Sequence, residues 1–242
     1  MHEDLGLSDK QHEIIETALI LLSEKGFNEL SMRDIAKKMN VKAPAIYWHF
    51  KNKAVLVDYM AEYILRNEMG DFSPRESEQS WQDWVIYHIS LLRKAMLSYP
   101  DGGRVVAGAH LFPAVTLAKV MEYSLESLYS AKVDTDTAQS IVLATIHYTF
   151  GYVIEEQADT RPVESPSPDQ ISRQEQHDAY FTFSQYPHLS RIMEFTNTGK
   201  TSDENFMDGL NLIILGGSKM AAQKSERCMS DVLFSDKEKP LH

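Results

Sequence analysis

A cluster of basic side chains near the amino terminus is the part of this sequence most suited to binding chemistry. Its members are Arg33, Lys37, Lys38, Lys42, Lys51 and Lys53. Because Asp34 is the one acidic residue in the segment 31–53, that segment carries a net charge of +5. Clustered cations attract the phosphate groups of nucleic acids through local charge density. On charge alone, however, the better interpretation is a solvated helix face.

The remainder of the chain is strongly acidic. Of the 242 residues, 24 are basic and 35 are acidic, which gives a formal net charge of −11. Residues 1–53 contain eight side chains of each sign, so the residues after them carry the whole negative charge. This balance excludes a protein whose entire surface binds nucleic acid, and it would confine DNA binding to the basic segment.

Motifs for catalysis and for metal binding are missing. The sequence contains no G-x-S-x-G, H-E-x-x-H or G-x-x-x-x-G-K-[ST] motif, and residues 216–219 lack the upstream glycine that the last of these requires. The one cysteine, Cys228, excludes a disulfide within the chain and a thiolate metal site. We therefore expect a protein that is not an enzyme and that needs no cofactor and no metal.

Nothing in the sequence predicts secretion or membrane insertion. Residues 1–4 are acidic and no long apolar stretch follows them, which argues against a signal peptide. The longest apolar run near the other end, residues 212–215, is far too short to span a bilayer. We expect a cytoplasmic protein without a membrane partner, and the scarcity of cysteine agrees with a reducing compartment.

The elements that must position the basic cluster are helices, because apolar residues recur at helical spacing and no sustained alternation of period two occurs. The first predicted helix covers residues 10–25. The second begins after Ser31, a good N-cap with Asp34 three residues later. A turn at residues 40–42 leads to the third helix, 43–50, which has a proline near its start. The second and third helices predict a helix-turn-helix, whose third helix could enter a DNA major groove.

The rest of the chain predicts a larger helical region. Helices are expected over residues 53–69, 81–98, 114–130, 136–157 and 203–224. Residues 70–78 indicate a linker, and residues 107–113 a short segment that follows a break at 100–103. Residues 161–190, which are rich in proline, serine and glutamine, predict a loop.

The segment 43–53 resembles the recognition helix, and the turn after it, of the TetR family of transcriptional regulators. Its sequence is Ala-Pro-Ala-Ile-Tyr-Trp-His-Phe-Lys-Asn-Lys. Matches to the first two helices of the same family lie at residues 26–27, 31–36 and 41. Matches to the regulatory domain of its tetracycline-binding members lie at residues 80–83, 97–98, 101–102 and 151–157. The resemblance therefore covers most of the chain, and it is weak over residues 161–190.

This resemblance implies an all-α fold with two domains. Residues 1–53 would form a three-helix, helix-turn-helix domain that binds DNA, and residues 54–242 a helical ligand-binding and dimerisation domain. It also implies a homodimeric repressor that binds a palindromic double-stranded operator and is released from it by a small-molecule effector. In that dimer, two helices per subunit, residues 136–157 and 203–224, would build a four-helix bundle.

Eight residues are expected to contact the DNA: Arg33, Lys42, Ala43, Pro44, Ala45, Tyr47, His49 and Lys53. Arg33 could donate two hydrogen bonds to a guanine edge, whereas the two alanines offer only methyl groups to the bases. The resemblance implies phosphate contacts, which fix register rather than sequence, for Tyr47, His49 and Lys53. We expect Trp48 to pack inside the three-helix core instead.

The effector is predicted from what the resemblance implies about its site. The tetracycline-binding members hold a magnesium–tetracycline chelate with a histidine, a threonine and a glutamate, of which only the glutamate has a counterpart, Glu155. Val106 and Ala109 occupy the other two positions and cannot ligate a hard cation. A pocket with apolar walls and a few polar groups suits a bulky, mainly apolar or aromatic compound. The expected lining residues are Met69, His88, Leu92, Val106, His110, Phe112, His147, Tyr152 and Glu155.

Two other interpretations stay open. A tetracycline-responsive repressor could use a different set of contacts, and a helical adaptor without DNA binding could pair with another chain through residues 206–215. A lone histidine in a helical bundle is also more often part of the core than a ligand contact. Whether residues 31–53 bind DNA distinguishes the adaptor hypothesis from the two repressor hypotheses.

Overall fold

The computed structural model describes residues 6–159, 186–188 and 200–235. Within these residues the secondary structure is helical and contains no strand, which confirms the prediction of an all-α fold. In chain order the helices are α1 (Asp9–Lys25), α2 (Met32–Lys38), α3 (Ala43–Tyr47), α4 (Lys53–Met69), α5 (Trp81–Leu97), α6 (Gly102–Ala107), α7 (Val115–Ser130), α8 (Thr135–Asp159) and α9 (Ser202–Ser235). We call α1–α3 the head and α4–α9 the body. Most of the predicted loop 161–190 lies outside the described residues.

The helices of the head form where the sequence predicts them, because the capping, turn and apolar residues make the local contacts that their spacing indicates. The Ser31 hydroxyl accepts the Asp34 backbone N–H at 3.2 Å and donates to the Asp34 carboxylate at 2.6 Å, which caps α2. The turn after α2 places Asn40 in the left-handed region with φ 54°, a conformation that asparagine tolerates. Ile46 and Phe50, one on α3 and one just after it, are fully buried. These two residues anchor the recognition helix in the core of the head.

One helix was not predicted. We expected a break at residues 100–103, but α6 begins at Gly102 and runs to Ala107. Asp101 takes the left-handed conformation, with φ 58°, and turns the chain from α5 into α6. A side chain at Gly102 would collide with the Met96 carbonyl oxygen. A helix this short depends on tertiary contacts rather than on its own sequence, so periodicity could not reveal it.

The remaining helices confirm the prediction, with changes at their ends. Helix α4 has the predicted bounds, whereas α3 ends at Tyr47, before the predicted residue 50, and α9 extends beyond residue 224 to Ser235. Helix ends are the part of an element that sequence patterns define least well. In the described parts of the chain, none of the helices combines the length and the apolar character that crossing a membrane requires.

Helices α8 and α9 form a close pair at the end of the body. Gly209 and Gly217 of α9 permit this approach, because side chains there would overlap Tyr148 and Ile141 of α8. The opposite sides of the two helices are exposed, and they carry large apolar side chains. We call this surface the outer face, and its apolar members are Leu143, Leu212, Leu215 and Met220.

Candidate DNA-binding surface and effector site

Helix α3 offers one side to solvent because the other is packed in the core of the head. Lys42 precedes the helix in extended conformation, and Pro44 lies in its first turn, where a missing N–H costs nothing. Ile46 is fully buried, whereas Pro44, Ala45 and Tyr47 are exposed. The helix therefore presents its amino-terminal turn, which is the part that contacts base edges in helix-turn-helix proteins.

Four basic side chains around α2 and α3 are exposed, and within the described residues none of them forms an ion pair with a carboxylate. They are Arg33, Lys37, Lys42 and Lys51. Three other lysines of the head are paired, since Lys10 Nζ lies 2.7 Å from Glu13 Oε2, Lys38 Nζ lies 2.6 Å from Glu24 Oε1 and Lys25 Nζ lies 3.2 Å from Asp34 Oδ1. The four remaining cations can neutralise phosphate charge without first breaking an ion pair.

Lys53, the first residue of α4, is engaged elsewhere. Its Nζ donates a hydrogen bond to the Phe27 carbonyl oxygen at 2.9 Å and lies 4.8 Å from the centre of the Phe27 ring. Burial, together with the nearby charge of Arg104, lowers the pKa of Lys53. A phosphate contact would require the ammonium group to leave the carbonyl oxygen. In this position Lys53 connects the head to the start of α4. Its contact with DNA stays a prediction.

The expectation that Trp48 packs in the core was wrong. Its side chain is 87% exposed. Ile46 and Phe50 lie four residues apart and share the buried side of the chain, so the residue between them points the other way. Pro44, Tyr47 and Trp48 line a shallow depression of about 410 Å³ on the outside of the head. Trp48 therefore adds an aromatic surface beside the exposed side of α3.

The nine expected effector residues lie in three different places. Four are buried in the body: Met69, His88, Leu92 and Val106. Two are exposed in the loop between α6 and α7: His110 and Phe112. The last three belong to α8: His147, Tyr152 and Glu155. Leu92 and Val106 are completely inaccessible, so neither can touch a ligand unless the packing around it changes.

His88 lies in a cluster of aromatic rings. Its imidazole stacks on Trp84, with ring centres 3.8 Å apart, and the rings of Phe72 and Tyr87 lie 5.1 Å and 5.0 Å away. Tyr123 of α7 contacts Phe72 edge-on at 5.8 Å. This aromatic cluster joins α5, α7 and the linker before α5, and it reaches solvent at Tyr87, which is 61% exposed.

The protonation state of His88 follows from its hydrogen bond. Nδ1 lies 2.8 Å from the Trp84 carbonyl oxygen, which can only accept, so Nδ1 carries the proton. Burial lowers the pKa of His88, and the ring is therefore neutral at physiological pH. Nε2 is then a hydrogen-bond acceptor, and no donor among the described residues occupies it.

Two buried carboxylates of α4 hold the segment that leads from α6 into α7: Asp58 binds the loop between the two helices, and Glu62 binds the first turn of α7. Asp58 accepts the His110 backbone N–H at 2.9 Å, and both of its oxygens lie 3.2 Å from His110 Nδ1. One turn further along α4, Glu62 accepts the Thr116 backbone N–H at 2.7 Å and the Thr116 hydroxyl at 2.9 Å. Burial raises the pKa of Glu62, against the opposing effect of these two hydrogen bonds.

Neither carboxylate was predicted from the sequence, although the sequence contains a signal for both. Asp58 and Glu62 occupy α4 among positions that are otherwise apolar and buried: Leu56, Val57, Met60, Ala61, Ile64 and Leu65. A carboxylate on the core-facing side of a helix must find donors, because a buried charge without them is costly. This break in the apolar pattern could have marked the two residues.

The effector candidates on α8 do not share one environment. The Tyr152 hydroxyl donates to the Ser202 carbonyl oxygen at 2.9 Å and so holds the start of α9. His147 and Glu155 are exposed instead. Across residues 6–159, 186–188 and 200–235, no three histidine, cysteine, aspartate or glutamate side chains are placed to hold a metal ion together.

Comparison with known families gives two matches that together span most of the chain. Residues 14–60 match the family described as bacterial regulatory proteins, tetR family. Residues 73–221 match the family described as tetracyclin repressor-like, C-terminal domain. The chain is also 32% identical over 212 residues to the tetracycline repressor protein class C of Escherichia coli, an alignment that covers 87% of this chain and 91% of the relative.

Solved structures with the same fold include one bound to a drug and one bound to DNA. A single-residue variant of TetR from Acinetobacter baumannii AYE, in complex with minocycline, is 26% identical with a TM-score of 0.63, and the match covers 89% of this chain and 98% of that one. BioQ with its natural double-stranded DNA operator is 25% identical with a TM-score of 0.54, covering 62% of this chain and 88% of that one.

Proposed function

Because the chain belongs to the TetR family of bacterial transcriptional regulators, we propose that it is a homodimeric repressor that leaves a palindromic operator when an aromatic effector binds the body. One observation carries this proposal. The exposed side of α3 is surrounded by four basic side chains that form no ion pair in the described residues, on a chain that is otherwise acidic. Such a charge distribution attracts DNA to the head alone.

The proposed DNA contacts are of two kinds. Ala43, Pro44 and Ala45 face the bases from the first turn of α3, and their apolar surfaces suit thymine methyl groups, while Arg33 donates to a guanine edge. Tyr47 and the surrounding cations bind phosphate oxygens and fix the register of the head. The likeness to BioQ, whose structure contains its double-stranded operator, supports a head of this type on duplex DNA.

The outer face of α8 and α9 is the proposed dimer interface. Its leucine and methionine side chains are between 43% and 72% exposed, and apolar patches of this kind mark interaction surfaces. A side chain added at Gly151 or Gly216 would meet open space, so another helix can approach closely there. Two copies of the outer face would build a four-helix bundle. The two heads would then read half-sites about 34–36 Å apart.

The proposed effector carries an aromatic ring and a hydroxyl or amine donor. His88 Nε2 can accept a hydrogen bond beside stacked aromatic rings, and this combination favours a flat ligand that donates to it. Val106 and Ala109, at the positions where the resemblance implies magnesium ligands, offer no oxygen or nitrogen. The chemistry of these residues therefore supports binding without a metal ion.

A tetracycline-responsive repressor is the second candidate. The 32% identity to the class C tetracycline repressor extends over 91% of that relative, and a similar structure has been solved with minocycline. In this chain a complex of the drug with magnesium would have to be held by residues other than the missing magnesium ligands. Dependence of drug binding on magnesium therefore discriminates between the two candidates.

Helix α4 supplies a path from the effector region to the head. At one end of the path, Asp58 binds the loop between α6 and α7, and Glu62 binds Thr116 in the first turn of α7. Lys53, at the first turn of the same helix, binds Phe27 of the head. A ligand that prefers one position of the loop would therefore shift α4 and change the separation of the heads, and by linkage it would lower the affinity for DNA.

Selection of duplex DNA from a random pool by the purified protein tests the repressor function. We expect a palindrome, and failure to enrich any sequence would favour the helical adaptor instead. Thermal-shift screening of aromatic compounds, with tetracyclines tested with and without magnesium, then identifies the effector, because a ligand of the folded state raises the melting temperature. The same compound should release fluorescent operator DNA. Stabilisation by a tetracycline only in the presence of magnesium would favour the second candidate.

A pair of variants connects the screen to the aromatic cluster. In His88→Leu, the melting temperature should no longer respond to the aromatic compound, because the acceptor Nε2 is gone. His12→Leu, on α1 of the head, is the matched control and should respond as the wild type does. An unchanged response in His88→Leu would place the effector elsewhere in the body.

A further inference from the structure

Phe27, in the turn between α1 and α2, is held by the body through its backbone and its ring. Its N–H donates to Asp101 Oδ2 at 2.8 Å, and its carbonyl oxygen accepts from Lys53 Nζ at 2.9 Å. The Arg104 guanidinium lies 5.3 Å from the centre of the Phe27 ring. Because groups outside the head bind both the amide and the carbonyl of this residue, Phe27 is a fixed point between head and body.

The turn before α6 is built to make this contact. Asp101 is 7% exposed, and its left-handed backbone, with φ 58°, lets the carboxylate reach the head. Gly26 precedes Phe27, and a Cβ at that position would lie 3.1 Å from Asp101 Oδ2. The glycine therefore leaves room for the carboxylate. A buried carboxylate needs hydrogen-bond donors, and the Phe27 N–H is one of them.

The same turn is fixed on its other side by α8. Gln157 of α8 is buried, and its Oε1 accepts the Gly103 backbone N–H at 2.9 Å. Its Nε2 donates to the carbonyl oxygens of Tyr99 at 2.8 Å and Met96 at 3.3 Å. One side-chain amide thus joins the end of α5 and the start of α6 to α8, immediately on both sides of Asp101.

We propose that Gln157 and Asp101 form a polar link that sets the position of the head relative to helix α8, and that both are positioning residues for operator recognition. The proposal rests on the proposed function, in which α8 lies in the dimer interface. The link is separate from the carboxylate contacts of α4, in which Asp58 binds the loop between α6 and α7 and Glu62 binds the first turn of α7. It passes from the dimer helix through the first turn of α6 to the backbone of the head. Movement of the head away from α6 would leave the Phe27 N–H without this acceptor.

Operator spacing is the property that this link should control. One extra base pair at the centre of a palindrome rotates the half-sites by about 34–36° relative to each other. A head in a fixed position discriminates against the lengthened site, whereas a loosened head tolerates it. The measured quantity is the ratio of the affinities of the wild-type protein for the selected operator and for the lengthened one.

Two substitutions of Asp101 distinguish loss of the link from a general loss of stability. Asp101→Gly removes the carboxylate and keeps a residue that accepts a positive φ, whereas Asp101→Asn also tolerates that conformation and retains an oxygen that can accept the Phe27 N–H. We expect the affinity ratio to fall about tenfold in the glycine variant and to recover most of its value in the asparagine variant. An unchanged ratio in a folded, dimeric glycine variant would overturn the proposal. An equal loss of affinity for an isolated half-site would show damage to the head instead, and would overturn it as well.

Hydrogen exchange tests the link without any DNA. In Gln157→Leu the Phe27 amide should exchange faster than in the wild type, because the hydrogen bonds of Gln157 to Gly103 and Tyr99 fix the turn that contains Asp101. Gln139→Leu, at an exposed position on the same helix, should leave that exchange unchanged. Faster exchange confined to the amides next to residue 157 would contradict the link. This result does not depend on operator binding, so failure of the proposed function and failure of the link can be told apart.

Discussion

The head and the body use charged residues in opposite ways. In the head, the basic side chains and their carboxylate partners lie at the surface, as in the ion pair between Lys38 and Glu24. In the body, Asp58, Glu62 and Asp101 are buried, and each accepts a backbone N–H from a segment distant in the sequence. Charge in the head is thus available to an outside partner, whereas these three carboxylates of the body hold distant segments of the chain together.

The two regions also differ in how their candidate sites are assembled. The proposed DNA-binding surface comes from one stretch of sequence, residues 33–53. The proposed effector residues extend from Met69 to Glu155 and divide among the core, a loop and the exposed side of α8. A surface formed by one local motif keeps its geometry when the packing between distant helices changes slightly. A ligand site built from several helices depends on how those helices meet.

Preventing dimerisation should have the largest effect on operator affinity, although each head itself stays intact. Leu212→Arg combined with Leu215→Arg places charge on the outer face, and we expect a monomer by analytical ultracentrifugation. Operator affinity should fall about 100-fold or more, since the second head no longer binds as part of the same molecule. Tyr129→Arg, which changes an exposed aromatic residue of α7, is the control. A double variant that remained dimeric would place the interface elsewhere.

Removing head cations should have the next largest effect. For Arg33→Ala with Lys42→Ala, we expect operator affinity to weaken by about 1–3 kcal/mol, and the slope of binding against salt concentration to decrease by about 1–2. Fluorescence polarisation of labelled operator at several salt concentrations measures both. Lys119→Ala with Lys94→Ala removes the same charge from the body. If this control weakened binding equally, the charge contrast between head and body would not explain DNA recognition.

Substitutions of Glu62 test whether a buried carboxylate of the body stabilises the fold. Glu62→Ala leaves the Thr116 N–H and hydroxyl without their acceptor, so the free energy of unfolding should fall by about 1–3 kcal/mol. Glu62→Gln keeps an acceptor oxygen and should lose less. Chemical denaturation measures the difference, and equal stability of all three proteins would contradict the role assigned to Glu62.

The raised pKa of Glu62 also predicts a dependence on pH. The folded protein retains this proton at pH values where the unfolded chain, with its ordinary pKa of 4.5, has lost it. The contribution of Glu62 to stability is therefore present below pH 4.5 and decreases as pH rises through the raised pKa of the folded state. Denaturation of Glu62→Gln across the same pH range should lack this decrease.

His88 should make the smallest contribution to the pH dependence of stability, and this contribution changes with pH in the direction opposite to that of Glu62. Burial lowers its pKa from the ordinary value of 6.5, so the unfolded chain binds a proton more readily than the folded protein. Its contribution to stability is present above pH 6.5 and is lost as pH falls toward the lowered pKa. Melting temperatures between about pH 5 and 7 should fall less steeply in His88→Gln than in the wild type.

The sequence by itself determined the all-α fold and the architecture of the head. Ser31 and its cap partner Asp34, the turn at Asn40 and the apolar spacing of Ile46 and Phe50 act over a few residues, so a linear pattern contains all the information they need. The exception was Trp48. Its large apolar side chain suggested the core, but its position between two buried residues turns it outward.

Tertiary structure alone decided helix α6 and the contacts that join the elements of the body. Asp58 finds His110 at a separation of 52 residues, and Glu62 finds Thr116 at a separation of 54. Gln157 reaches back to the turn that contains Asp101. Which donor meets a given acceptor over such distances depends on how the helices pack, and packing is a property of the whole chain rather than of any short segment of it.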